Sequence, residues 1–137
     1  MKIYILILAL LPVVCFLAWI YYKDKYEKEP VVKLSQYFFM GILVSVLAIF
    51  IEIYLSKFNN LSGIESNIYT SFFVAAFTEE GVKSIILISM LLGEKDFNEK
   101  LDGIIYSIIL SLGFATVENI IYLMKERVDL SLGLAIT

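Results

Sequence analysis

The sequence of 137 residues contains no histidine and a single cysteine. Without histidine the chain cannot supply an H-E-x-x-H zinc motif, a Ser-His or Cys-His nucleophile pair, or a His-ligated metal site. Cys15 has no second cysteine with which to form an internal disulfide, and its apolar surroundings lead us to expect a small core residue. The charges are sparse and form no basic patch, so the sequence predicts no nucleic-acid partner.

Apolar residues are what the sequence has in excess. They make up 60% of the chain, whereas a soluble domain is nearer half apolar. They fall into four blocks of 20 to 25 residues, 3–22, 34–55, 68–92 and 101–124, each long enough for a tilted helix to cross roughly 30 Å of hydrocarbon. Residues 130–137 look like the start of a further helix. We therefore predict an all-α fold, a single integral membrane domain over residues 1–137. It is a polytopic helical bundle of about four transmembrane helices plus the start of a fifth.

The first block has an alternative interpretation as a signal peptide, with Lys2 as its basic region. The run is long, however, and no A-x-A cleavage site precedes its end. It closes with Trp19, Tyr21 and Tyr22, an aromatic cluster typical of a membrane interface. We therefore favour a membrane span, which Pro12 is expected to kink.

The orientation is predicted from the basic residues of the loops. The segments 23–33 and 95–100 contain six Lys, and the opposite side contains four Lys or Arg. Because cytoplasmic loops carry the excess of positive charge, this bias predicts an outer N-terminus and two cytoplasmic charged loops.

Three charges interrupt the third block, in the stretch AAFTEEGVKSIILI of residues 75–88. A charge at the centre of a membrane helix costs roughly 2.5–3.5 kcal/mol on insertion scales. Lys83 follows Glu79 by four residues and Glu80 by three, so its ammonium can reach both carboxylates. An ion pair that locks helices together is one interpretation. It does not need a second carboxylate, which must find another proton, cation or donor.

Two stripes of small residues point towards these charges, and such stripes let helix backbones approach closely. One stripe comprises Gly103, Ser107, Ser111 and Ala115, and continues into Glu118 and Asn119. The other comprises Gly41, Ser45 and Ala48, and ends in Glu52. We expect the helices to converge on the acidic residues. Glu52 lies near its helix end, so a solvated role and a site role both remain open for it.

Carboxylates, a lysine and an amide inside a membrane can activate water. One carboxylate would take a proton from water, and Asn119 or Lys83 would stabilise the oxyanion of a peptide carbonyl. A hard cation such as Mg²⁺ or Mn²⁺ is the alternative occupant of such oxygens, although nothing here is spaced like a dedicated cation loop. Intramembrane carboxylates also mark ion paths, but the absence of internal repeats counts against a proton or cation carrier.

Two segments resemble the motifs of a known family. FTEEGVK, residues 77–83, resembles the E-E-x-x-K motif of the PrsW family of intramembrane proteases. Residues 101–123 resemble that family's second motif, with an F-x-x-x-E-N core at Phe114, Glu118 and Asn119. DKYEKEP, residues 24–30, is similar to the acidic, proline-ending loop after the family's first helix.

The resemblance implies a glutamate-dependent membrane endopeptidase in a bacterial cell membrane. It implies a site-1 protease that cuts a single-pass anti-sigma factor on its outer side and so begins the release of a sigma factor. Glu79 and Glu80 are then expected to carry catalysis, with Glu118 contributing. Asn119 and Lys83 complete the candidate set, and no organic cofactor is expected.

The sequence departs from the family in one respect. The family has a further helix with a histidine, whereas this chain has no histidine and ends as that helix is expected to begin. We therefore expect a fragment or a shortened homologue. The alternative function is a non-catalytic scaffold or immunity-type relative that keeps the fold.

Overall fold

The computed structural model describes residues 3–23, 29–93 and 100–136, with side chains described for residues 7, 10–22, 29–93 and 101–125. These ranges contain helices and no strand. The helices are α1 (Ile3–Lys23), α2 (Val31–Ser56), α3 (Gly63–Ile68), a π-helix (Tyr69–Ala76), α4 (Phe77–Leu92) and α5 (Lys100–Ile136). The prediction of an all-α bundle is confirmed.

The centre of the bundle is the pair formed by α2 and α5, which run parallel. Tyr37 stacks on Tyr106, with ring centroids 4.3 Å apart, and further along the same two helices Ala48 packs against Phe114. Residue numbers therefore increase in the same direction along both helices. α4 runs the opposite way, because its early residue Lys83 lies over Phe114, whereas its late residues pack near Tyr106. α1 packs on α5 through Ile20.

α2 and α5 touch through their backbones at two glycines. A Cβ added at Gly41 would lie 2.0 Å from the carbonyl oxygen of Leu110, and one added at Gly113 would lie 2.0 Å from that of Phe38. Only residues without a side chain allow this approach, as at small-residue contacts between membrane helices. Gly41 was expected to belong to such a contact.

The other small-residue stripe does not make the contact with α2. Ser107, Ser111 and Ala115 instead line a cavity of about 330 Å³ together with Phe16 of α1. Gly113 lies two residues from both Ser111 and Ala115, which is about half a turn around the helix. The stripe and Gly113 therefore face different neighbours, and the stripe does not lead to the acidic residues as expected.

Large apolar side chains cover the outside of the bundle, among them Phe39, Phe72 and Ile85. Extended exposed apolar surface is unusual for a soluble protein and suits contact with lipid. Within the described residues, two helices are long and apolar enough to cross a membrane, Val31–Ser56 and Leu101–Lys125. Cys15 belongs to the exposed surface, so the expectation of a core cysteine was wrong.

The helices extend beyond some of the predicted apolar blocks. The third block is helical from Gly63 to Leu92 once the π-helix is included. α1 is continuous through Pro12. α5 continues from Lys100 to Ile136 without a break, because the polar stretch KERVD at 125–129 contains no Gly or Pro to end it. One helix is therefore present where the sequence suggested the end of one span and the start of another.

Most of the charged loops lie outside the described residues, which omit 24–28 and 94–99. These gaps include Lys25, Lys28 and Lys95, on which the predicted orientation partly depends. The orientation and the extent of the domain therefore stay predictions.

Candidate active site

A cavity of about 260 Å³ lies between α2, the π-helix, α4 and α5. Three carboxylates share it, one from each of α2, α4 and α5. The lining residues are Ser45, Ala48, Ile49, Glu52, Ala75, Glu79, Phe114, Glu118, Ile121, Tyr122 and Lys125. The lining is therefore apolar at Ala48, Ile49 and Phe114 and ionisable at the three acids.

The π-helix connects α3 to α4 and lines this cavity through Ala75. It covers Tyr69–Ala76 and ends directly before the charged segment. Thr78 is buried, and its hydroxyl donates to the carbonyl of Phe73 five residues earlier, at 3.4 Å. Such wide turns are rare and occur often at functional sites. Residues 69–76 contain neither Gly nor Pro, so no residue type in this segment predicts the wide turn.

Lys83 lies between three partners. Its Nζ donates to Glu80 Oε1 at 2.7 Å and lies 3.9 Å from Glu79 Oε2. The same ammonium sits 4.0 Å from the ring centroid of Phe114. The side chain of Glu80 is 73% exposed, whereas those of Lys83 and Glu79 are 16% and 24% exposed. The tight ion pair is thus the outer one, and the looser pair belongs to the carboxylate that lines the cavity.

The structure brings together only part of the predicted site. Glu79 and Glu118 line the cavity, whereas Glu80, Lys83 and Asn119 are not among its lining side chains. Lys83 contacts Glu79 and Phe114 without lining the cavity itself. Asn119 is half-buried and follows Glu118 on α5.

Three further polar residues line the cavity. Glu52, whose role the sequence left open, is one of its three carboxylates. Tyr122 and Lys125 were not predicted. They follow Glu118 by four and seven residues, a spacing that places them on one face of a helix. That spacing was the available signal.

The three carboxylates of the cavity carry like charges. Glu79 repels both Glu52 and Glu118 across the space between them. Burying carboxylates is costly unless cations or donors compensate them. Lys83 on one side and Lys125 at the lining supply positive charge, and the cavity volume leaves room for water.

A resident metal ion does not fit the described residues. No group of three or more His, Cys, Asp or Glu side chains among them is arranged to hold one. Catalytic zinc sites usually have three protein ligands, so a zinc ion bound here would need a ligand from outside these residues.

A second polar cluster lies at the other end of α2 and α5. The Tyr106 hydroxyl donates to the carboxylate of Glu29, and Asp102 beside them is only 6% exposed. Burial raises the pKa of Glu29 above its ordinary value of 4.5, the Tyr106 hydrogen bond lowers it, and the negative charge of Asp102 adds to the rise. Asp102 and Glu118 are separated by about 24 Å along α5, so this cluster is distinct from the cavity.

The fold and the cavity together define a class of protein. It is a helical membrane protein that holds ionisable groups from several helices around one cavity of about 260 Å³, the arrangement expected of an intramembrane enzyme site. The chain belongs to the PrsW family: the profile described as PrsW family intramembrane metalloprotease matches residues 29–136. The resemblance noted from the motifs is confirmed.

Curated relatives support the same assignment. Protease PrsW of Clostridioides difficile (strain 630) is 47% identical over 136 residues, which are 99% of this chain and 57% of that protein. Protease PrsW of Bacillus subtilis (strain 168) is 37% identical over 118 residues, 86% of this chain and 53% of that protein. Protease PrsW of Geobacillus kaustophilus (strain HTA426) is 34% identical over 125 residues, with shares of 91% and 54%. The chain thus spans little more than half the length of these relatives. No solved structure matches it.

Proposed function

We propose that this chain carries the carboxylate centre of a membrane endopeptidase that spans a bacterial membrane several times. The observation that carries the proposal is the cavity in which Glu79 of α4 and Glu118 of α5 face the same space of about 260 Å³. The family supports proteolysis as the reaction, since its description is that of an intramembrane metalloprotease.

Glu79 is the general base of the proposed reaction. It takes a proton from a water molecule as the water oxygen attacks the carbonyl carbon of the scissile peptide bond. Glu118 accepts a hydrogen bond from the other O–H of that water and so orients it, while that hydrogen stays on the water oxygen. When the carbon–nitrogen bond breaks, Glu79 returns its proton to the leaving nitrogen. The products are a carboxylic acid and an amine, which become carboxylate and ammonium by proton exchange, and the enzyme is restored.

The other polar residues support this step. The Lys83 ammonium, 3.9 Å from Glu79, compensates the charge of the base in its apolar surroundings. Glu80 holds that ammonium and therefore acts through Lys83 and does not touch substrate. Tyr122 and Lys125 line the cavity and offer hydrogen-bond donors for the oxyanion.

The proposed substrate is a single-pass anti-sigma factor that is cut on its outer side. The cavity lies near the C-terminal end of α2, since Glu52 is four residues before that end, and beside the middle of the parallel helix α5. With the predicted outer N-terminus, the C-terminal end of α2 faces outwards. A bond just outside the hydrocarbon would then reach Glu79.

The test uses the protein expressed from its complete reading frame together with a single-pass anti-sigma factor. We expect Glu79→Gln to lower the cleavage rate by about 100-fold or more, because a positioned general base contributes about 10²–10⁴-fold. Glu65→Gln is the matched control, since Glu65 is an exposed carboxylate on α3. The new N-terminus of the product should map to the outer side. Normal cleavage by Glu79→Gln at normal abundance would rule out Glu79 as the base, and absence of cleavage by the wild type would indicate a scaffold instead of a protease.

A further inference from the structure

Phe114 links the core of the bundle to the candidate site. Only 2% of the residue is exposed, and it packs with Val44 and Ala48 of α2 in one core cluster. The same residue lines the cavity one turn before Glu118. Its ring therefore has a fixed position, set by backbone and core packing, at the point where α4 passes over α5.

The Lys83 ammonium rests on that ring. Its Nζ lies 4.0 Å from the ring centroid of Phe114 and 2.7 Å from Glu80 Oε1. A cation within about 6 Å of an aromatic face is attracted by the negative face of the ring. The ring and Glu80 thus hold the ammonium from two directions.

This placement keeps Lys83 from bonding directly to the base. The 3.9 Å between Nζ and Glu79 Oε2 is too long for a hydrogen bond, although the positive charge remains close enough to compensate the carboxylate. A direct bond would occupy the oxygen that must accept a proton from water. The distance between Lys83 Nζ and Glu79 Oε2 therefore depends on the other contacts of the ammonium, which are those with Phe114 and Glu80.

We infer that Phe114 is a positioning residue, whose ring holds the Lys83 ammonium near Glu79 without letting it form a hydrogen bond to that carboxylate. The inference rests on the proposed function, and it extends that function to a residue that has no polar atom. A Leu at position 114 would fill much of the same core space but has no aromatic face. A Tyr keeps the face.

The kinetic test compares Phe114→Leu, Phe114→Tyr and Val44→Ala in the protein from its complete reading frame. We expect Phe114→Leu to lower kcat about fivefold with KM unchanged, which corresponds to about 1 kcal/mol. Phe114→Tyr should restore most of the rate. Val44→Ala loses packing in the same cluster and should lower the melting temperature while kcat stays near that of the wild type. Equal loss of kcat in Val44→Ala and Phe114→Leu would show that Phe114 acts only through core packing and would overturn the inference.

A double-mutant cycle with Lys83→Met tests the contact without relying on proteolysis. If the ring acts through the ammonium, Phe114→Leu should destabilise the wild type more than it destabilises the Lys83→Met background in detergent unfolding. Additive effects on stability together with intact wild-type cleavage would overturn the inference and leave the proposed function standing. Coupling in stability without any wild-type cleavage would overturn the proposed function, and the positioning role with it, while the contact stands.

Discussion

Gly41→Ala tests the contact on which the shape of the cavity depends. The added Cβ would lie 2.0 Å from the Leu110 carbonyl oxygen, 2.9 Å from the Leu110 carbonyl carbon and 3.0 Å from the Phe114 backbone nitrogen. Ordinary contact begins near 3.4 Å, so the two helices must separate locally by about 1.4 Å. None of the three obstructing atoms belongs to a side chain that can rotate away.

We expect Gly41→Ala to lower the free energy of unfolding by about 3 kcal/mol, the upper end of the usual 1–3 kcal/mol for overpacking. That loss is a roughly 150-fold change in the ratio of folded to unfolded protein. Cleavage should fall as well, because Phe114 and Glu118 move away from the α2 side of the cavity. Unfolding in mixed micelles with increasing SDS measures the first effect.

Gly81→Ala is the matched control for this substitution. Gly81 lies in α4 next to Glu80, and a Cβ added there meets no atom within 4 Å. Alanine is the better helix former by about 0.5–1 kcal/mol, so this variant should be at least as stable as the wild type. Unfolding of Gly41→Ala and Gly81→Ala at the same SDS fraction would refute the backbone contact between α2 and α5.

Three further outcomes are expected. Because the pKa of Glu29 is raised, its stabilising contribution is present below about pH 4.5 and is lost as the pH rises through the raised pKa. As the pH rises through this pKa, the melting temperature of the wild type should therefore fall relative to that of Glu29→Gln. A difference in melting temperature between the two proteins that does not change with pH would contradict the prediction. Glu52→Gln removes one of three mutually repelling charges, so its melting temperature should exceed that of the wild type; a decrease would count against the cavity. In a Cys15→Ala background, an impermeant maleimide should label a cysteine at Asn60 but not one at Lys28 in intact cells, and the reverse pattern would invert the topology.

The amino-acid sequence predicts the elements of this fold better than their contacts. The lengths of the apolar blocks predict the helices, and the two motifs predict that Glu79 and Glu118 belong to one site. Motif spacing does not say which side of a helix meets which neighbour. Glu80, adjacent to Glu79, is consequently outside the cavity, because successive residues of a helix point about 100° apart.

Two features of the site had no clear signal in the sequence. The π-helix contains no Gly or Pro that would mark a departure from the α-helix. The contact of α2 with α5 uses Gly113 and not the longer stripe of small residues that includes Ser111, since several small faces on one helix are equivalent until its neighbours are placed.

Glu79, and not Glu80, is the residue proposed to activate water. The direct measurement is the single-turnover cleavage rate of Glu79→Gln and Glu80→Gln at saturating substrate, each at the same folded concentration. We expect a loss of about 100-fold or more for Glu79→Gln. For Glu80→Gln we expect about fivefold or less, because an exposed ion pair contributes little. Equal losses in the two variants, or a larger loss in Glu80→Gln, would contradict the assignment of the base.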